Sequence, residues 1–182
     1  EIYTGWYTLS LDDALPIWST RERTAVLLRE WTCVGRLDDL GLTEPGTRDL
    51  LPERLAVVDL HGESVLVTTD ADAVLHAHYN VCRHRGSQVV PVEPGASVAP
   101  CAAKSLRCPY HSWTYGLDGS LLHAPHTEGV DMPAFALHPV GAAAWGGWLW
   151  LHGAPDEAED LLAALAPVPE RVRRYPLDTL VL

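Results

Sequence analysis

Short apolar runs separated by turn residues make up most of the chain after Gly35. Runs of this length, bounded by glycine and aspartate, are typical of β-strands. Asp118-Gly119 is a strong hairpin signal, because both residues tolerate positive φ. The strands are predicted over residues 55–60, 64–69, 74–81, 88–92, 105–107, 113–115, 121–122 and 148–151. Many short strands at this spacing predict a mainly β fold, a small antiparallel sandwich or barrel.

Two segments outside this region carry helical signals. Ser19 and Glu22 have the spacing of a capping box, and an apolar stripe after them predicts a helix over residues 20–31. Later, the acidic residues 156–160 precede leucines at helical spacing, which suits a helix with acids at its positive end, and Pro167 and Pro169 are expected to end it. The expected organisation is a helical segment over 18–36, a β domain over 37–154, and a connector over 155–182 that leads into a further domain.

The two ends suggest a piece of a longer polypeptide. The chain starts at Glu1 and stops within the apolar run Leu180–Leu182. Residues 1–17 show no clear periodicity and resemble translated sequencing-adapter DNA, so their origin is uncertain and they carry no inference about the fold.

Composition excludes several classes of protein. The 182 residues are 47% hydrophobic, enough for a packed core, and 24 acidic against 13 basic residues give a formal charge of −11. A chain this acidic is poorly suited to nucleic acid or an anionic membrane. Its most apolar stretch, residues 140–151, is too short to span a bilayer.

Four cysteines without a secretory leader pattern are expected to be reduced, which favours the cytoplasm.

Two short motifs carry the candidate chemistry. Cys82 and His84 are spaced C-x-H, while Cys108 and His111 are spaced C-x-x-H, with 23 residues between His84 and Cys108. Two thiolates and two imidazoles suit either zinc or a [2Fe–2S] cluster. Zinc fingers usually pair like ligands, whereas a Rieske centre takes two cysteines on one iron and two histidines on the other. The mixed pairing therefore favours a Rieske centre, with a zinc-stabilised interaction domain as the rival.

The residues around these motifs resemble one family. Asn80–Ser87, Cys108–Tyr115, Leu117-Asp118-Gly119, Ala124-Pro125-His126 and the strand Gly147–Leu151 are similar to the N-terminal Rieske domain of Rieske non-haem iron oxygenases. The resemblance is to the alpha subunit of the aromatic-ring-hydroxylating type, and it extends from about Trp31 to Leu182.

This resemblance has specific implications. It implies a Rieske-type antiparallel sandwich with two cluster-binding loops, and Cys82, His84, Cys108 and His111 as ligands of the [2Fe–2S] iron. It also implies electrons from a ferredoxin or flavin reductase, and a homotrimer or hetero-oligomer in the full-length form. A mononuclear Fe(II) that oxygenates an aromatic or related substrate is expected only in that longer protein. A stand-alone Rieske ferredoxin is the alternative.

Two departures from the family pattern stand out. Residues 92–104 look like an insertion, and they carry Cys101, which is expected to be an incidental thiol. The catalytic domain with its iron triad is missing. His76 and His78, predicted to point the same way from one strand, have no nearby carboxylate to complete a substitute triad, and His123 and His126 are also only a pair. The chain alone is therefore expected to transfer electrons without oxygenating a substrate.

Other residues near the motifs receive simpler interpretations. Trp113 is expected to pack over the cluster and shield it from water. Cys33 is expected to be a core thiol. The three tryptophans at 145, 148 and 150 are expected in the sheet core. Arg83, Arg85 and Arg107 form a small basic group near the metal that either shapes its field or contacts a partner.

Overall fold

Ten strands form three antiparallel sheets in this computed structural model, which describes residues 19–93 and 98–177. The strands are β1 (Thr32–Arg36), β2 (Arg54–Leu60), β3 (Glu63–Thr69), β4 (Leu75–Tyr79), β5 (Val98–Ala102), β6 (Leu106–Arg107), β7 (Thr114–Tyr115), β8 (Leu121–His123), β9 (Gly141–Trp145) and β10 (Trp148–His152). Their order is β1-β10-β9, β4-β3-β2-β5 and β6-β7-β8. Every pairing is antiparallel, so the predicted mainly β fold is confirmed.

The four-stranded sheet is buried on both faces, which explains the continuous apolar runs of β2 and β3. Side chains alternate along a strand, so Leu66 enters one core while Val65 and Val67 enter the other. The first, the cluster-side core, contains Leu55, Val57, Leu66, Cys82, Val89, Leu106, Cys108, Trp113, Tyr115, Leu117, Leu121 and Leu137. The second joins this sheet to Leu149 and Leu151 of β10. Both candidate cysteines therefore belong to a packed core.

The N-terminal helix ends earlier than predicted. Helix α1 covers residues 19–25 of the described chain, and a 3₁₀ turn follows at Leu27–Arg29. Trp31 is held by tertiary contacts, because its indole N–H donates to the Glu159 carbonyl at 2.9 Å and its ring lies edge-on to His152. The chain then enters β1, which the helical interpretation of residues 18–36 did not predict.

The C-terminal connector consists of short helices. A 3₁₀ turn at Pro155–Glu157 precedes α2 (Leu161–Ala164), and the Asp160 carboxylate caps α2 by accepting two backbone N–H groups. Pro169 does not end this region but lies in the first turn of α3 (Val168–Val172), where a missing N–H costs no helical hydrogen bond. Within the described ranges, no helix is both long and apolar enough to cross a membrane.

One strand prediction was wrong, that of residues 88–92. Residues 88–92 are not a strand, because side chains take up their backbone donors. The Asn80 amide oxygen accepts from Val89 and Val90, and the Gln88 side chain accepts from Val92. Within the expected insertion, residues 98–102 form β5, which pairs with β2 at the sheet edge.

Several expected core residues lie nearer the surface. Cys33 is exposed, so its prediction as a core thiol was wrong, because Val34 and Arg36 of β1 are more buried than it is. Cys101 is exposed on β5. The three tryptophans of the β9–β10 hairpin are only half-buried, since the leucines between them take the core face of β10.

The expectations for residues 1–17 and for the run after Leu177 lie outside the described residues.

Candidate metal centre

The two candidate loops are built on the same backbone hydrogen bonds. In the first loop the Cys82 carbonyl accepts from Gly86 N–H at 2.9 Å, and Cys82 N–H donates to Ser87 at 2.7 Å. In the second loop the Cys108 carbonyl accepts from Ser112 N–H at 3.0 Å, and Cys108 N–H donates to Trp113 at 2.9 Å. Each cysteine thus closes a tight turn that places its histidine two or three residues further on.

Positive φ angles make these turns possible. Gly86 has φ of 73°, with open space where a Cβ would lie, and Ser112 has φ of 61° in the corresponding position of the second loop. The left-handed conformation suits glycine and is uncommon for serine. The Ser112 side chain accepts a hydrogen bond from Arg107 at 2.9 Å, which anchors it there.

The two thiols form the inner half of the site. Cys82 and Cys108 are each only 2% exposed. Burial raises the pKa of the Cys82 thiol, the Tyr115 hydroxyl 3.3 Å from its Sγ opposes this rise, and the Cys108 thiol within hydrogen-bonding reach adds to it. Two buried thiols this close favour a shared metal, because deprotonated sulfur ligands need compensating positive charge.

The two imidazoles form the outer half. The rings of His84 and His111 meet edge-on, with centroids 4.6 Å apart. His84 is exposed and His111 half-buried. Burial lowers the pKa of His111, and the nearby charges of His84 and Arg85 lower it further. A ligand histidine must be unprotonated at its donor nitrogen, and this environment favours that form.

Aromatic residues join the two halves. Trp113 belongs to the cluster-side core with both cysteines and stacks on His84, while Phe135 meets Trp113 edge-on. Tyr115, two residues further along the chain on β7, reaches the Cys82 sulfur and also accepts the Arg83 N–H at 3.1 Å. Burial raises the pKa of Tyr115, so its hydroxyl remains a donor. The sequence signal for Tyr115 was its place two residues after Trp113 in a predicted strand, where alternate side chains share one face.

This donor set fits a [2Fe–2S] cluster. Thiols pair with thiols and imidazoles with imidazoles, which is the division that a Rieske centre requires of its two irons. Among the described residues, no three histidine, cysteine or acidic side chains converge as a site for one metal ion. The buried Trp113 indole N–H also has no acceptor within the described chain, and sulfide is an acceptor compatible with it.

The other arginines and histidines near the two loops differ in their burial and in whether they line the adjacent cavity. Arg83 is partly buried and donates to the Ala136 carbonyl at 2.9 Å, so it braces its own loop. Arg85 and Arg107 are exposed, and Arg107 lines a cavity of about 560 Å³ together with both loop histidines. His126 lines the same cavity, whereas His123 is exposed at the end of β8 and is not among the lining residues.

His76 and His78 differ from their sequence interpretation in one respect. Their rings do point the same way, with centroids 6.4 Å apart. A carboxylate is nevertheless present, because Asp70 Oδ2 in the turn before β4 lies 2.9 Å from His76 Nε2. His78 is buried against the hairpin at Gly119.

Comparisons with known proteins agree with this geometry. A family model described as Rieske [2Fe-2S] domain matches residues 30–136. The glycine betaine monooxygenase oxygenase subunit of Pseudomonas aeruginosa (strain UCBPP-PA14) is 33% identical over 182 residues, covering 87% of this chain and 41% of that protein. The quaternary ammonium Rieske monooxygenase CntA, in a crystal structure with its substrate L-carnitine, is 27% identical with a TM-score of 0.69, covering 85% of this chain and 40% of that one.

A more distant structure shares the fold. Naphthalene 1,2-dioxygenase is 22% identical with a TM-score of 0.70, covering 86% of this chain and 33% of that one. The chain spans about two fifths of the length of the first two relatives. Since the family model covers more than half of its residues, the chain belongs to the Rieske [2Fe-2S] domain family.

Proposed function

We propose that this domain holds a Rieske [2Fe–2S] cluster through Cys82 and Cys108 on one iron and His84 and His111 on the other. The cluster accepts electrons singly from a ferredoxin or flavin reductase and passes them to a mononuclear iron centre of an oxygenase. The observation that carries this proposal is the division of the four side chains into a buried thiol pair and an outer imidazole pair.

The surroundings of the site suit one-electron transfer. The thiol pair lies in a packed core, which keeps water from the sulfur ligands. The imidazole pair borders an open cavity, so a redox partner reaches a ligand directly. When bound, the cluster supplies a reversible one-electron store, and the chain's own residues fix its position and its access to solvent.

The oxygenase activity belongs to a longer protein in this proposal. The relatives named as oxygenase subunits are more than twice as long as the matched region. We place the Rieske domain at residues 37–154, after a helical segment at 18–36, with residues 155–182 connecting it to a catalytic domain that holds Fe(II). An assembly as a homotrimer or hetero-oligomer, and a cytoplasmic location in which the four unpaired cysteines stay reduced, complete this proposal.

Quaternary ammonium compounds are the first substrate class to test. The relatives that are 33% and 27% identical are named for glycine betaine and quaternary ammonium oxidation. The aromatic class expected from the sequence has support from naphthalene dioxygenase at only 22% identity, which is evidence of fold alone. Oxygen uptake by the product of the full gene, with glycine betaine, carnitine and naphthalene in parallel, distinguishes the two classes.

Metal analysis tests the cluster. The purified chain is expected to contain two irons and two acid-labile sulfides, as the cofactor's composition requires, and to give a Rieske-type EPR signal after dithionite reduction. A colourless protein with one zinc would instead establish the interaction domain.

Sequencing the gene beyond Leu182 separates an oxygenase subunit from a stand-alone ferredoxin, because an immediate stop codon would rule out the catalytic domain.

Ligand exchange tests the residue assignment. In His84→Cys or His111→Cys a thiolate replaces a neutral imidazole, which stabilises the oxidised cluster and lowers its midpoint potential toward that of all-cysteine clusters. His123→Cys is the matched control, since His123 lies outside the cavity. An EPR-monitored redox titration showing equal potentials in all three loaded variants would contradict the assignment.

A further inference from the structure

A cavity of about 510 Å³ lies between the β9–β10 turn and the C-terminal connector. One wall comes from Trp145 at the end of β9 and from Arg48 in the segment between β1 and β2. The other wall comes from α3 and the residues after it, among them Arg173, Arg174 and Tyr175. None of the four candidate cluster ligands lines this space, which we call the connector cavity.

Three guanidinium groups concentrate positive charge at the connector cavity. Arg48, Arg173 and Arg174 line it, and all three are exposed. No described aspartate or glutamate lines it, although the chain has 24 acidic residues against 13 basic ones and a formal charge of −11. A concave surface lined by charges of one sign focuses its field on a ligand that enters. The cavity therefore attracts anions in a chain that otherwise repels them.

Two of these arginines have donors that a ligand can use. Arg173 Nη1 lies 3.3 Å from Glu170 Oε1, in an ion pair whose side chains are 76% and 77% exposed. Exposed pairs of this kind contribute little stability, so an anion in the cavity competes for Arg173 at small cost. The Arg174 guanidinium lies over the ring of Tyr175, 5.8 Å from its centroid. This cation–π contact holds the guanidinium in place without using its N–H groups.

Aromatic side chains supply the other half of the recognition. Trp145 is half-buried, with its ring tilted against that of Trp150 at a centroid distance of 6.3 Å. Tyr175 is exposed. A flat ring packs on such side chains, while guanidinium groups pair with carboxylate or phosphate oxygens through two parallel hydrogen bonds. A volume of this size is in the range of small-molecule sites.

We propose that the connector cavity binds a small aromatic anion that carries at least two negative charges. Aromatic dicarboxylates and mononucleotides share this chemistry. Because one wall belongs to the sheet and the other to the connector, the bound anion holds α3 against the β9–β10 turn. The site goes beyond the electron-transfer function and does not depend on the cluster, since no candidate cluster ligand lines the cavity.

Calorimetric titration of the chain tests the ligand class. AMP and isophthalate are the two probes, and adenosine and inorganic phosphate separate the ring from the charge. AMP or isophthalate is expected to bind at least tenfold more tightly than adenosine or phosphate, because each of the latter retains only one of the two features. The tighter of the two probes identifies phosphate or carboxylate as the preferred anionic group. An affinity for both probes no higher than for phosphate would overturn the proposal.

Arginine variants test the position of the site. Arg173→Gln and Arg174→Gln are each expected to weaken binding of the tighter probe about fivefold, because a charge-assisted hydrogen bond is lost. Arg29→Gln is the matched control, since Arg29 is also an exposed arginine paired with a glutamate, Glu157, but does not line the cavity. Affinities of the two connector variants no lower than that of Arg29→Gln would place any binding elsewhere and contradict the site.

Trypsin provides a readout that does not depend on substitution. The bound probe is expected to slow cleavage after Arg173 and Arg174, which it contacts, relative to cleavage after Arg29. Equal slowing at all three positions would contradict the proposed contacts. The same titration with the product of the full gene completes the test. Binding to this chain without binding to the longer protein would overturn the site, because another part of that protein would then fill the cavity.

Discussion

The indole ring of Trp113 lies nearly parallel to the imidazole of His84, with ring centroids 4.8 Å apart and planes inclined by 13°. Trp113 is 2% exposed, and Phe135 packs edge-on against it. One aromatic side chain thus links an exposed candidate ligand to the core that contains both cysteines. The orientation of the outer ligand therefore depends on the packing of the inner core.

Replacing Trp113 tests this link. Trp113→Leu is expected to lower the free energy of unfolding by about 3 kcal/mol, because a large buried side chain is truncated in a packed core. It is also expected to speed the loss of visible absorbance in air, since water gains access to the sulfur ligands. Urea unfolding and absorbance decay measure the two effects. The control is Trp145→Leu, which truncates a half-buried tryptophan on β9. Equal cluster lifetimes in the two variants would show that Trp113 does not shield the cluster from water.

The Tyr115 hydroxyl is expected to raise the midpoint potential of the bound cluster. It lies 3.3 Å from Cys82 Sγ, and a hydrogen bond to a thiolate stabilises the reduced, more negative state more than the oxidised one. Tyr115→Phe is therefore expected to lower the potential by roughly 50 mV, equivalent to about 1 kcal/mol for one electron. Protein-film voltammetry measures the change.

A matched control is available on the neighbouring loop. Tyr110→Phe makes the same chemical change in an exposed side chain that contacts His111 through its ring. Its potential is expected to stay close to that of the unmodified chain. If the two variants shift equally, the hydrogen bond from Tyr115 is not what sets the potential.

The sequence predicted the turns at the two candidate loops better than the strands around them, and the reason is physical. The loop conformation depends on local features, a glycine at positive φ and short backbone hydrogen bonds from Cys82 and Cys108. Strand assignments depend on partners distant in the chain. Residues 88–92 have the apolar character of a strand, but Asn80 takes up their donors. The pattern of apolar positions does not reveal such hydrogen bonds between side chains and the backbone.

The errors at Cys33 and Trp31 have a related cause. Trp31 was assigned to the apolar helical stripe, and Cys33, which follows that helix, was expected in the core because free cysteine is readily buried. Trp31 instead contacts Glu159 and His152, which lie more than a hundred residues away. These contacts end the helical region and start β1, where alternation turns Cys33 toward solvent. Tertiary contacts override local propensity at this point.

Position 119 is predicted to require glycine, because the backbone there lies close to the His78 ring. Its φ is 81°, and a Cβ at this position would overlap the His78 ring. Gly119→Ala is therefore expected to combine backbone strain with a steric clash and to cost about 3 kcal/mol of stability. Gly129→Ala is the matched control, because Gly129 has a similar φ of 76° with nothing within 4 Å of its Cβ position. Gly129→Ala is expected to lower the free energy of unfolding by about 1 kcal/mol, because it adds backbone strain without a clash. Equal thermal unfolding of the two variants would exclude the clash.

Acid is expected to destabilise the fold through His78. The pKa of His78 is lowered to about 4, chiefly by burial and also by the charge of His76, against the opposing effects of the Asp118 backbone and carboxylate. The folded chain therefore keeps His78 neutral where the unfolded chain, with an ordinary histidine pKa near 6.5, takes up a proton. Stability from this group is complete above pH 6.5 and is lost as the pH falls toward 4. The expected loss between pH 7.5 and 5 is about 2 kcal/mol.

Two variants isolate this contribution to the pH dependence. His78→Leu and His78→Gln both remove the titrating ring, and leucine also removes the buried Nδ1, which has no hydrogen-bond partner in the described chain. Urea unfolding at pH 7.5, 6 and 5 is expected to show the same shallower pH dependence in both variants, whatever their stabilities at pH 7.5. The other histidines with lowered pKa values, His111 and His138, contribute equally to all three proteins and cancel in the comparison. A pH dependence as steep as that of the unmodified chain would show that another group carries the acid sensitivity.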